Sequence, residues 1–319
     1  MKLPYGPTFE AMDQTLVGSL DLVDHSALDW QKVRSTAYLI HQRISYAYEG
    51  PVRRLRQRLM VTPRESHGDQ RRILHRLEVL EARPRRVTQR VDEFGNELID
   101  VSVPDIRERV TFISWSVVER HAVQGPHLVD AAAMADRRLL DASPLTAADA
   151  RIRALAVELR TSGLAGRALA EAACSRVHAL MSYAHDVTSV KTTAAEALAV
   201  GGGVCQDYAH VMLAICRELG IACRYVSGQL LGEGGSHAWV EVLVPRGRAQ
   251  AEVLPLDPTH ARPAAMTYLT VAVGRDYGDV APLSGSYEAP HAGFLTATKT
   301  VAVMDVVMRR GRRGLLLPS

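Results

Sequence analysis

The chain has 319 residues, of which 47% are hydrophobic and 23% charged, and its formal net charge is +3. That composition predicts a folded globular protein long enough for more than one domain, and it excludes wholesale disorder. Mean hydropathy is −0.04 and no run of about 18 apolar residues occurs, so neither a membrane-spanning helix nor a membrane partner is expected.

The opening MKLPYGPTFEAMDQ has no basic stretch leading into an apolar one. No secretory signal is therefore expected, and the cytoplasm is the expected location. The cysteines are Cys174, Cys205, Cys216 and Cys223, all in one half of the chain and without a CxxC pair. This spacing predicts reduced thiols rather than a zinc ribbon, and it raises the question of whether one of them is a nucleophile. Residues 34–92 carry fourteen Arg against six Asp and Glu, a balance of +8 that leaves −5 for the rest. The arginines interleave with apolar residues and no nucleic-acid motif accompanies them. They predict a solvated strand face, with no nucleic-acid partner.

In chain order, residues 1–34 have mixed character, with a weak apolar pattern (Leu16, Leu20, Leu22, Val23) that predicts an extension with one short helix. Residues 35–118 read as strands. Tyr38, Ile40, Ile44, Tyr46 and Tyr48 share one parity, as do Ile73, Leu77 and Val79. Val87 and Val91 precede the turn Asp92-Glu93-Phe94-Gly95-Asn96, and Leu98, Val101 and Val103 follow it. Thr111, Ile113, Trp115 and Val117 alternate in the same way. The pattern predicts an antiparallel β-sandwich of about six or seven strands as a domain of its own.

Residues 119–150, punctuated by Gln124-Gly125-Pro126 and Ser143-Pro144, read as a connector. Residues 151–290 form the predicted core. Two helices separated near Gly163 come first, then a helix over 205–219 with the stripe Tyr208, Val211, Met212, Ile215 and Leu219, closed by Gly220. Strands at Cys223–Leu230, His237–Val244 and Glu252–Leu256 follow. Residues 291–319 read as a last strand with a basic tail.

The sharpest segment is Gly201-Gly202-Gly203-Val204-Cys205-Gln206-Asp207-Tyr208. It places Cys205 at a helix N-terminus, where unpaired N–H groups and the macrodipole favour a thiolate. The glycines predict close backbone approach by a substrate. His237 opens a strand after Gly234-Gly235-Ser236, and Asp257 ends another before Pro258. Neighbouring strands would let Asp257 hold Nδ1–H of His237 and turn Nε2 toward Cys205, an arrangement for thiol acyl transfer. Gly203, Gln206 and Trp239 are further candidates for substrate contact. Cys174, Cys216 and Cys223 read as packing, His210 as structural, and Asp207 and Tyr208 as cap and core. A zinc site from Cys205, His210, Cys216 and Cys223 fits no usual ligand spacing.

Five ordered blocks resemble the bacterial transglutaminase-like cysteine-peptidase superfamily: Thr192 to Leu198, Gly203 to His210, Ala222 to Gly228, Ser236 to Glu241, and Asp257-Pro258-Thr259. Val271 to Tyr277 is similar to the ending these proteins carry. Arg58 to Arg64 and Phe94-Gly95-Asn96 are similar to the β-rich region that precedes such cores. The resemblance implies an α+β protein, a β-sandwich followed by a papain-like core, with the family's Cys, His and Asp carried onto Cys205, His237 and Asp257. It implies a cysteine-dependent enzyme acting on a peptide or protein amide without metal or organic cofactor. Hydrolysis is the first expectation, transglutamination to an amine the alternative, and a non-catalytic scaffold a further one. Two positions depart from the family pattern: His260 stands where many relatives have Asn, and Leu256 where many have an aromatic residue.

Overall fold

A computed structural model describes residues 22–122 and 125–308. Leu16, Leu20 and the arginine-rich end beyond Met308 lie outside these residues. Within the extension, His25–Ala27 makes a single 3-10 turn, and Val23 bridges to Val303.

The first strands are β1 (Val33–Tyr48), β2 (Val52–Leu59), β3 (Gln70–Leu80), β4 (Arg86–Val91), β5 (Glu97–Ile106) and β6 (Arg109–His121). Strand β7 (His127–Asp130) leads into helices α1 (Ala150–Thr161), α2 (Gly166–Leu180), α3 (Ala194–Val200) and α4 (Cys205–Glu218). Strands β8 (Cys223–Leu230), β9 (Ser236–Arg246), β10 (Gln250–Asp257) and β11 (Tyr268–Gly274) follow, and β12 (Leu283–Glu288) and β13 (Gly293–Met308) end the described chain.

Two antiparallel sheets form the sandwich. One runs β13–β1–β6–β3 and ends on the short pair at Ser66–His67; the other runs β12–β2–β5–β4. Period-2 alternation sends Ile44, Leu55, Leu59, Val101, Val103 and Phe112 into one core between them. The alternation fails in two places. Val87 and Val91 on β4 are 51% and 59% exposed, because β4 is the edge of its sheet. On β3 a register shift between Arg72 and Leu74 leaves both Ile73 and Leu74 exposed. An extra residue in a strand reverses the face of everything beyond it.

The boundaries also differ from the sequence expectation. Strand β12, inside the 151–290 stretch, pairs with β2, and β13 pairs with β1 from Val33↔Met308 to Tyr48↔Gly293. The chain therefore returns to the sandwich after completing the core. Without that return, β1 and β2 would each present an unpaired edge. Residues 127–130 of the expected connector are β7, which adds to the core sheet beside β10. Part of the arginine excess lies on the four-stranded sheet, where Arg56, Arg58, Arg85 and Arg86 line a groove of about 810 Å³, and part on the other sheet, at Arg71, Arg72 and Arg76 of β3.

The core sheet runs β10–β9–β8–β11. Helix α4 is buried on every side from Gln206 to Arg217. It packs with Val177 of α2, Ala194 of α3, and Val240 and Val242 of β9. Cys174, Cys216 and Cys223 are all buried, and burial pushes the Cys174 thiol up to about 12.

The sandwich docks on the edge of β11 that no neighbouring strand pairs. Gln70 donates to the Thr270 carbonyl at 2.7 Å and accepts from the Thr270 N–H at 2.8 Å. Asn96 does the same with Val273, at 2.7 and 2.8 Å. Each amide replaces a missing neighbouring strand, so the buried edge keeps its backbone partners. Tyr38 Oη donates to the Met266 carbonyl at 2.6 Å, and Arg120 Nη1 donates to the Ala265 and Tyr268 carbonyls. Deeper in, Glu241 accepts from Arg224 Nε at 2.7 Å and from His67 Nε2 of the sandwich at 2.6 Å.

Because β13 covers the whole length of β1, a chain ended after Ala292 is expected to unfold at lower urea than the full chain and to aggregate through β1. Light scattering and circular dichroism check this. A monomeric truncation with an unchanged urea midpoint would refute it.

Candidate active site

The glycine run does three local jobs. Gly201, at φ 69° and ψ 23°, ends α3 in a left-handed conformation. Gly202 and Gly203 then pair in parallel with Ser182 and Tyr183. A Cβ on Gly203 would lie 2.4 Å from Asp207 Oδ2. That close approach lets Asp207 Oδ2 accept from the Val204 N–H at 2.8 Å and the Thr188 hydroxyl at 2.7 Å. The carboxylate thus satisfies a free N–H at the start of α4. The backbone approach expected of a substrate is instead used by the helix cap, and Asp207 is a cap as its position predicted.

Cys205 is the first residue of α4, and its Sγ lies 4.0 Å from the Ser236 carbonyl oxygen. His237 is the next residue along β9 and is buried. Its Nε2 is 2.8 Å from Asp257 Oδ2, and its Nδ1 is 3.3 Å from Glu233 Oε2. The structure brings Cys205, His237 and Asp257 together, but with the imidazole turned the opposite way from the sequence expectation. Asp257 holds Nε2, and Nδ1 is left on the thiol side. The reason is reach. The sulfur lies beside the backbone of Ser236–His237, close to the proximal ring nitrogen, while Asp257 ends the neighbouring strand and is met by the distal one.

Asp257 has no exposed surface. Its Oδ2 also accepts from His260 Nδ1 at 2.7 Å and Tyr268 Oη at 2.7 Å, and its Oδ1 accepts from the Thr259 N–H at 2.9 Å. Burial alone would raise this carboxyl. The hydrogen bond and charge of His237, with the bonds from His260 and Tyr268, hold it well below the usual carboxylate range. Burial alone would likewise lower His237. Its hydrogen bonds to Asp257 and Cys205, and their charges, outweigh that and push it up to about 10. The arrangement favours imidazolium beside carboxylate and thiol.

His237, Asp257 and His260 each bring one possible ligand atom within 4.8 Å of the others. Asp257 Oδ2 already accepts three donors, so the cluster reads as a closed hydrogen-bond hub.

A cleft of about 660 Å³ opens over Cys205 and His237, walled by Tyr183, His185, Glu233, Ser236, Thr259 and His260. The three expected substrate contacts are absent from this wall. Gly203 and Gln206 are both buried. Trp239 is 1% exposed and stacks edge-on against Tyr268, centroids 5.4 Å apart. A Cβ on Gly228 would lie 2.3 Å from the Trp239 ring, so the indole packs against bare backbone. His210 is structural, as expected: it is buried, and its Nε2 accepts from the Tyr277 N–H at 3.2 Å.

Sequence reading missed Tyr183, Glu233, His260, Tyr268 and Lys299. Lys299 Nζ on β13 donates to Ser236 Oγ at 2.7 Å, and burial pushes its amine down to about 8. Of these, His260 alone had a sequence signal, as a departure beside Asp257.

Residues 153–258 match the model of the transglutaminase-like superfamily, and residues 38–119 match that of the bacterial transglutaminase-like N-terminal region. The chain is 32% identical over 277 residues to an uncharacterized protein of Mycobacterium tuberculosis (strain H37Rv), covering 78% of this chain and 86% of that protein. It is 31% identical over 261 residues to one from Mycobacterium leprae, covering 76% and 90%. A solved structure of a proposed cysteine protease from Cytophaga hutchinsonii shares the fold, with a TM-score of 0.64 at 19% identity over 85% of this chain and 91% of that one.

The shifted groups predict how stability depends on pH. His237 is raised above its unfolded value of 6.5, so its contribution is whole below that pH and is lost as pH rises toward about 10. Asp257 is lowered below 3.8, so its contribution is present above that pH and is lost as pH falls through the folded value. The difference in urea-unfolding free energy between wild type and His237→Asn is expected to be largest between pH 3.8 and 6.5, and to shrink toward pH 10. A difference independent of pH would refute this.

Proposed function

Because the chain belongs to the transglutaminase-like superfamily, we propose that it is a cysteine-dependent acyl-transfer enzyme hydrolysing a peptide-like amide, with Cys205 as nucleophile, His237 as base and acid, and Asp257 as its anchor. The observation that carries this reading is the first residue of α4 meeting an imidazole whose far nitrogen is hydrogen-bonded to a buried carboxylate.

In this mechanism the Cys205 thiolate attacks the amide carbonyl, and the Cys205 N–H at the open end of α4 donates to the developing oxyanion. The tetrahedral intermediate collapses to a thioester as His237 Nδ1–H protonates the departing amine. Neutral His237 then takes a proton from water, which attacks the thioester, releases the acid and restores the thiolate–imidazolium pair. Every proton passes through Nδ1 while Nε2 stays on Asp257. A cytoplasmic peptide or protein substrate belongs to the same proposal.

A second reading, in which an amine replaces water, is favoured by Glu233. Its carboxylate lies in the cleft 3.3 Å from His237 Nδ1, where it would attract an ammonium group. Against the inert-scaffold reading stands the clustering of Cys205, His237 and Asp257 at one cleft.

An iodoacetamide-based probe is expected to label Cys205 at least about tenfold faster in wild type than in His237→Ala at pH 7.5. Equal rates would sink the activated-thiol reading. Product masses from a glutamine peptide with and without added primary amine separate the acceptors: the free acid marks hydrolysis, and the amine adduct marks transglutamination.

A further inference from the structure

The chain turns back at Pro258 and sets His260 against the outer side of the Asp257 hub. His260 Nδ1 meets the same oxygen that holds His237, at 2.7 Å against 2.8 Å. The two imidazole centroids are 5.4 Å apart. His260 Nε2 lies 3.5 Å from Glu233 Oε1, and Glu233 Oε2 lies 3.3 Å from His237 Nδ1. Two carboxylates therefore bridge the imidazoles, Asp257 behind and Glu233 in the cleft. The His260 side chain is 34% exposed and that of Asp257 0%.

We propose that His260 is a positioning residue for the Cys205–His237 pair: its Nδ1 fixes the Asp257 oxygen that holds His237. The inference rests on the reading above. Donation from His260 Nδ1 keeps Asp257 Oδ2 within reach of His237 Nε2, and that bond holds the ring with Nδ1 on the thiol side. Tyr268, with Arg262 on its hydroxyl at 2.9 Å, supplies a third bond to the same oxygen. Loss of the His260 bond frees the carboxylate to turn and loosens the imidazolium partner of the Cys205 thiolate.

The test is the rate of Cys205 alkylation by iodoacetamide at about pH 8 in the full chain. His260→Ala is expected to fall at least about tenfold, the weight of one charge-assisted hydrogen bond. His260→Asn, whose amide N–H can still donate to Asp257, should stay within about threefold of wild type. If His260→Ala does not fold, as judged by thermal melting, His260→Leu, which fills the space without a donor, takes its place with the same expected fall. A folded His260→Ala or His260→Leu that alkylates at the wild-type rate, or a His260→Asn that falls as far as they do, would overturn the proposal. Labelling that depends on His237 but not on His260 would defeat this inference alone; labelling independent of His237 would defeat the proposed function as well.

Discussion

The constraint on which the rest depends is the buried carboxylate of Asp257. An unpaired charge in a protein interior costs several kcal/mol, whereas a hydrogen bond to a charged group returns about 1.5–3 kcal/mol. Asp257 resolves this with four donors: His237, His260, Tyr268 and the Thr259 N–H. They come from β9, from the turn after β10, and from β11, so the carboxylate fixes three neighbouring segments relative to one another. Charge compensation is thus also the device that aims His237 at Cys205.

The sandwich enters the same network from outside. Tyr268 reaches Asp257 from β11, and β11 is the strand whose open edge Gln70 and Asn96 complete. Arg120 holds the Tyr268 carbonyl itself. The N-terminal strands therefore hold the strand that supplies one Asp257 donor. The last strand adds a second link, since Lys299 on β13 holds Ser236 beside His237. The expectation that these strands are an independent unit misses this mutual dependence.

Much of the architecture was legible because it follows local periodicity. The helix from Cys205 carried its stripe and its closing Gly220, and the strands expected at Cys223–Leu230 and Glu252–Leu256 are present. The errors cluster where a neighbour decides. Val87 and Val91 alternate properly but lie on an uncovered edge. Ile73 keeps its parity in sequence and loses it at a bulge. Trp239 looks like a cleft aromatic because it stands two residues from His237; it is buried because Gly228 on the next strand leaves room for its ring.

Cys205, His237 and Asp257 were identifiable because each carries a local signature: a glycine run before a helix, a glycine loop before a strand, and a strand end before proline. Such signals arise from nearest-neighbour backbone sterics and survive in one dimension. Which nitrogen of His237 meets Asp257, and which residues share that carboxylate, carried no such mark. Those depend on distances between segments far apart in the chain: His260 and Tyr268 converge on one oxygen only after β9, β10 and β11 are in place. Residue chemistry and element type were determined by the sequence alone. The orientation of the imidazole and the membership of the hub were decided by tertiary packing, because a buried charge accepts whichever donors the assembled strands bring within hydrogen-bond reach.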